Sequence, residues 1–281
     1  MSCSHTSVQT VTSVRLLIFS YLDDSSDDKR KAHVAIGGII GHEIWTNLCE
    51  GNWIRETKSL KKPFRSTECE CQHGQFANWK KPECDDLMRR LVGVLSDKRT
   101  GVGCYAFDVP VQLYRQVFRN SKEDDPMRLA VAHTIVEMAR LARKHRERIR
   151  LWFEDGPFHS LIDKTYKDLK SLESWKWDQR GRLFGNISFG DKTLVPLQAA
   201  DLVAREGFKL AANYGVRKFR KPVLGMWDRL GMGHYTREAL ELLREKGWPS
   251  SLDAITSLPD DCYLKEQKNY GSEFFQRPHY R

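Results

Sequence analysis

Six acidic residues stand where metal-assisted chemistry would place them. Asp23 and Asp24 follow the apolar run 14–22, Glu154 and Asp155 follow the run Ile149–Phe153, and Asp201 is set inside the apolar stretch Leu197–Ala204. Glu68 lies in a polar segment between the first apolar runs and the next helix. In open α/β sheets, ligands gather beyond the carboxyl ends of the strands, so acids from two strand ends and one helix can meet there. Two unit charges about 4 Å apart repel by about 4 kcal/mol at an effective dielectric near 20. Three or four carboxylates in one pocket therefore need protons or cations. An all-oxygen set suits Mg²⁺ or Mn²⁺, and the usual chemistry of such a centre is phosphoryl transfer. One ion activates water and a second, about 3.5–4 Å away, stabilises the leaving oxygen.

Each acid also has a structural account. Asp after a strand is common in turns, and Glu154-Asp155-Gly156-Pro157 has turn composition. Glu68 reads equally as a solvated loop acid. Asp201 is hardest to set aside, because Leu197, Ala200, Leu202, Val203 and Ala204 surround it and a buried, unpaired carboxylate is costly. Arg205, at i+4, is its alternative partner. A zinc site is a separate possibility: Cys69, Cys71 and His73 would share one side of an extended segment, with Cys84 further on. The paired Cys-x-x-Cys spacing of structural zinc sites is missing, which leaves free thiols as the alternative.

The elements that must carry these residues follow from composition. The run 14–22 is rich in branched and aromatic residues and predicts a strand that ends in the polar stretch Asp23–Lys31. His33–Ile40 predicts its antiparallel partner. Helical spacing from Glu43 to Leu60 involves Ile44, Trp45, Leu48 and Ile54. The segment Glu68–Glu83 reads as irregular, Asp85–Leu95 as a helix and Gly101–Val109 as a strand. A long helix is predicted from Met127 to about 148, with Asp125-Pro126 as its start signal, and then the strand Ile149–Phe153. Leu161–Leu172 reads as a helix, 182–189 as a strand, Pro196–Ala212 as a helix with Pro in its first turn, and Arg237–Lys246 as the last helix. Strands first, then alternating helices and strands, predict an α/β layer architecture with a mixed sheet.

Composition narrows the partners. Among 281 residues, 46 Lys and Arg against 37 Asp and Glu give a net charge of +9, which favours a polyanion such as nucleic acid. Hydrophobic residues at 40% with eight Trp exclude a disordered or low-complexity chain. The first residues lack the basic stretch and apolar run of a signal peptide, the longest apolar runs fall short of about 20 residues, and seven Cys is an odd number for disulfide staples. A reduced, cytoplasmic protein with no membrane partner is the expectation. Arg217, Lys218, Arg220 and Lys221 flank Phe219, a pattern suited to backbone and stacking contact with nucleic acid.

Two motifs carry a resemblance. Phe19-Ser20-Tyr21-Leu22-Asp23-Asp24-Ser25-Ser26 followed by Ala35-Ile36-Gly37-Gly38-Ile39-Ile40, and Pro196-Leu197-Gln198-Ala199-Ala200-Asp201-Leu202-Val203-Ala204, resemble motifs of the bacterial domain-of-unknown-function family numbered thirty-eight hundred. Phe64-Arg65-Ser66-Thr67-Glu68 and Trp152-Phe153-Glu154-Asp155 fall between them in the same order. The chain departs from the family at Asp24, where Glu is frequent, and at Ser26, where Gly is frequent. The resemblance implies an α/β fold of ribonuclease H-like type: a mixed sheet flanked by helices, with insertions and a C-terminal helical extension. It spans residues 14–214, leaving 215–281 as an extension packed on or beside that domain. It also implies a divalent-metal site on Asp23, Glu68, Glu154 (or Asp155) and Asp201, with Gln198 lining the same face. The expected function is a metal-dependent phosphodiester hydrolase, a nuclease, using metal-activated water. The alternative is a non-catalytic nucleic-acid- or partner-binding module on the same fold.

Overall fold

Backbone pairing rather than apolar patterning sets where the first strand stops. In the computed structural model, which describes residues 17–27, 31–119, 125–145, 147–173, 187–213 and 230–258, strand β1 is Leu17–Ser26 and β2 is His33–His42. The two are antiparallel, with Ile18 opposite His42 and Ser26 opposite Val34. The strand boundary read after Leu22 is therefore corrected: Asp23 and Asp24 lie within β1, because its polar end stays hydrogen-bonded to β2. Strand β3 (Gly103–Pro110) pairs antiparallel with β2, while β4 (Arg148–Glu154) runs parallel to β1. Strand β5 (Ser188–Gly190) is parallel to β4, and β6 (Leu230–His234) is parallel to β3. The order across the six-stranded mixed sheet is β5-β4-β1-β2-β3-β6.

Helices cover both faces. The helices are α1 (Glu43–Thr57), α2 (Ser66–Cys71), α3 (Lys81–Ser96), α4 (Val111–Val117), α5 (Pro126–His145), α6 (His159–Ser171), α7 (Val195–Ala212), α8 (Arg237–Glu245) and α9 (Asp253–Thr256). On one face Leu22, Ile36, Phe107 and Phe153 pack with Ile135 and Val136 of α5, Ile162 of α6 and Leu240 of α8. On the other, Ile39, Cys104, Ala106 and Leu230 pack with Trp53 of α1, Leu87 and Leu91 of α3, and Leu202 and Val203 of α7. Full burial of each Leu, Ile, Val or Phe among them contributes about 1.5–3 kcal/mol. The period of two then decides which polar residues face α7: Asp23 shares the side of Tyr21, and Glu154 lies opposite the buried Ile149, Leu151 and Phe153.

Two further readings are corrected. The segment Glu68–Glu83 is ordered: it holds α2, a 3₁₀ turn at Gly74–Phe76 and the start of α3, with Phe64, Cys69 and Phe76 buried beneath it. In α1 the buried residues are Thr46, Cys49 and Trp53, whereas Ile44, Leu48 and Ile54 are exposed, Ile44 at 66%. The helix turns Trp53 inward because its indole N–H donates to the buried Gln198 amide oxygen. The Trp45 side chain lies outside the described residues. The segment expected to form the C-terminal extension contributes β6 to the sheet edge, and α8 packs on α4. Among the described residues no helix is long and apolar enough to cross a membrane.

Gly51, in the middle of α1, is exposed and a Cβ there would meet nothing within 4 Å. Gly51→Ala is expected to stabilise the protein by about 0.5–1 kcal/mol, because glycine loses more backbone entropy in a helix than alanine. A rise in the denaturation midpoint checks this, and no rise would mean the helix position is strained.

Candidate functional site

Helix α7 crosses the sheet at the level of Asp23, and glycines permit the crossing. Gly37 lies opposite Asp23 in the β1–β2 register. A Cβ on Gly37 would stand 2.6 Å from the Cα of Ala204, and one on Gly207 would stand 2.2 Å from the Cβ of Ala106. This close approach lowers Asp201, in the second turn of α7, toward the strand ends. Before α7, Asp191 accepts the Thr193 N–H at 2.8 Å and shapes the short link that follows β5.

The side chain of Lys192, in that link, sits at the meeting point of three acids. Its Nζ donates to Asp23 Oδ2 and, at 2.8 Å, to Glu154 Oε2, and it lies 3.2 Å from Asp201 Oδ1. Lys192 and Asp23 are each only 2% exposed at the side chain. The second oxygen of each acid has its own donor. Asp23 Oδ1 accepts the Asp24 N–H at 2.8 Å, Asp201 Oδ2 accepts the Ser66 N–H at 2.5 Å, and Glu154 Oε1 lies 3.5 Å from Arg65 Nη2.

Electrostatics follow from this burial. Desolvation pushes the Asp23 carboxyl well above the usual carboxylate range; Lys192 opposes that, while contact with Glu154 and repulsion from Asp201 add to it. Burial would also raise Glu154, but its hydrogen bond with Asp23 and the charges of Lys192 and Arg65 win and hold it below the usual range. For Lys192 burial favours the neutral amine, and the three carboxylates outweigh it, so the ammonium stays charged.

Asp23 gives a stability prediction with a definite sign. A carboxyl whose pKa is raised on folding binds its proton more tightly in the native state, so stability is lost as pH rises from the ordinary carboxylate range through the raised value. Asp23→Asn is expected to remove that component and to flatten the decline. Denaturation midpoints against pH in EDTA measure it; a variant curve parallel to the wild type would refute it.

The sequence-predicted residues divide as follows. Asp23, Glu154 and Asp201 are brought together. Glu68 stands outside the group around Lys192, its carboxylate beside Gly74 at the end of α2. Asp24 alternates to the opposite face of β1. Asp155 is exposed, 2.7 Å from His159 Nδ1. Arg205 pairs with Glu70 rather than with Asp201. Gln198 lines no open face: it is buried, its Oε1 accepts the Trp53 Nε1–H and the Phe64 N–H, and its Nε2 donates to the Lys192 carbonyl. Of the candidate zinc ligands, Cys69 and Cys84 are buried together while Cys71 and His73 are exposed. Arg217, Lys218, Arg220 and Lys221 lie outside the described residues. Sequence reasoning missed Lys192, Arg65 and Ser66. Only the requirement that clustered acids have a cation pointed toward them.

Among the described residues no three His, Cys, Asp or Glu side chains are grouped as ligands of a metal ion; the cation at the meeting point is Lys192. The donors are all carboxylate oxygens, the type that suits a hard divalent ion. A carboxylate oxygen has two acceptor sites, so the oxygens of Asp23, Glu154 and Asp201 that face Lys192 each keep one for a further partner. Comparison of the chain with protein-family models and with curated proteins finds no match.

Proposed function

We propose that this chain is a divalent-metal-dependent phosphodiester hydrolase, a nuclease, built on a ribonuclease H-like sheet. One observation carries the reading: Asp23 of β1, Glu154 of β4 and Asp201 of α7, remote in sequence, converge on a single positive charge. The sheet order supports it, since three strands each antiparallel to the next, β1 to β3, are followed by β4 and β5 in parallel to β1. The net charge of +9 suits a polyanionic substrate.

Asp23, Glu154 and Asp201 would hold Mg²⁺ or Mn²⁺; Glu68, two residues after Ser66, lies beside Gly74 instead. When bound, such an ion supplies an activated water and neutralises the oxygen that leaves. The chain's own residues do the rest. Gln198 fixes the link that bears Lys192, and the Ser66 N–H orients Asp201. Arg65, half exposed beside Glu154, is placed to meet a substrate phosphate.

The test is incubation with labelled single- and double-stranded DNA and RNA in Mg²⁺, Mn²⁺ or EDTA. Cleavage with either ion and none in EDTA is the expected result. Salt-sensitive binding without turnover would instead identify the non-catalytic module, a reading favoured by the way Lys192 already serves all three acids.

A further inference from the structure

An ammonium and a divalent ion compete for the same oxygens, and Lys192 holds its place by more than charge. Its backbone carbonyl accepts the Gln198 amide at 2.8 Å. Gln198 is pinned in turn by the Trp53 indole and the Phe64 N–H, both at 3.1 Å. The ammonium has three N–H donors, and it faces three carboxylates from three different elements. This is a built cation position, filled by the chain itself.

We propose that Lys192 replaces one of the two cations of a paired-metal phosphodiesterase, so that the centre takes a single divalent ion. The inference rests on the metal-dependent reading above. Occupancy supports it: Lys192 already meets one oxygen of each of Asp23, Glu154 and Asp201, as a resident cation would, so one of the two cation places of a paired centre is taken. Accessibility supports it as well. The Glu154 and Asp201 side chains are 18% and 15% exposed, against 2% for Asp23, so the incoming ion is taken on the Glu154–Asp201 side while Lys192 stays on the buried Asp23 side. Lys192 then acts as a positioning residue: it touches no reacting atom, and it fixes the spacing and net charge of the acids.

The experiment is a titration of the full chain with Mn²⁺ alone, counting bound ions by electron paramagnetic resonance and calorimetry. The wild type is expected to bind one Mn²⁺, Lys192→Met two, and Lys192→Arg, which keeps the charge, one. Two ions in the wild type, or one in Lys192→Met, would overturn the proposal while leaving a metal centre in place. No bound ion in any form would bring down the metal-dependent reading itself. Should Lys192→Met fail to fold without metal, the wild-type count still decides, and Mn²⁺ should raise the melting midpoint of Lys192→Met more than that of the wild type.

Discussion

Asp201→Asn is expected to lower metal-dependent cleavage by more than about 100-fold while leaving the protein folded. Loss of a partner one shell removed from a metal commonly costs about 10–100-fold, and Asp201 would contact the ion directly. The amide keeps a carbonyl oxygen to accept the Ser66 N–H, so the tie between α2 and α7 survives. What disappears is the negative charge beside Lys192. Asp155→Asn is the matched control: Asp155 is exposed and bonded to His159 away from the cluster, and it should change the rate less than twofold. Rates under saturating Mn²⁺, with circular dichroism to confirm folding, make the comparison. Equal losses in both variants would remove Asp201 from the chemistry.

A larger combined effect on stability and activity is expected from Gly37→Ala. The new methyl would stand 2.6 Å from the Ala204 Cα and 2.8 Å from its N, and backbone atoms cannot swing aside as the tip of a long side chain does. Helix α7 has to lift from the sheet, at a cost of about 1–3 kcal/mol typical of overpacked interiors. Asp201, one turn before Ala204, lifts with it and parts from Asp23. Displacements near 1 Å can reduce rates by about 100-fold, so activity should fall well below the loss caused by unfolding alone. Urea midpoints, and rates measured where the variant is fully folded, separate the two effects. A variant that keeps both wild-type values would mean that α7 is not held at contact distance.

Much of the scaffold was legible because it repeats simple periods. The runs that became β1 and β2, the stripe of α5 and the apolar run of α7 all declare themselves through side-chain pattern. What stayed hidden depends on long-range pairing. Asp23–Ser26 belong to a strand only because β2 offers partners as far as Val34. Strand β6, Leu-Gly-Met-Gly-His, carries two glycines and takes its form from β3. Helix α2, Ser-Thr-Glu-Cys-Glu-Cys, is too short and polar to show a stripe. Within the site, Asp201 announced itself as a carboxylate in an apolar run. Lys192 did not, since Gly190-Asp191-Lys192-Thr193 reads as a turn and its burial is decided by three remote acids.

The position of β1 between β4 and β2 has a consequence for how the site survives thermal motion. Edge strands open first, and β5 and β6 occupy the margins of the sheet. Asp23 rides on an interior strand paired with β4 as far as Leu22 and with β2 as far as Ser26, so fraying at either margin leaves its carboxyl where it was. The deepest acid of the cluster is thereby tied to the interior of the sheet, where opening costs more free energy than at its margins.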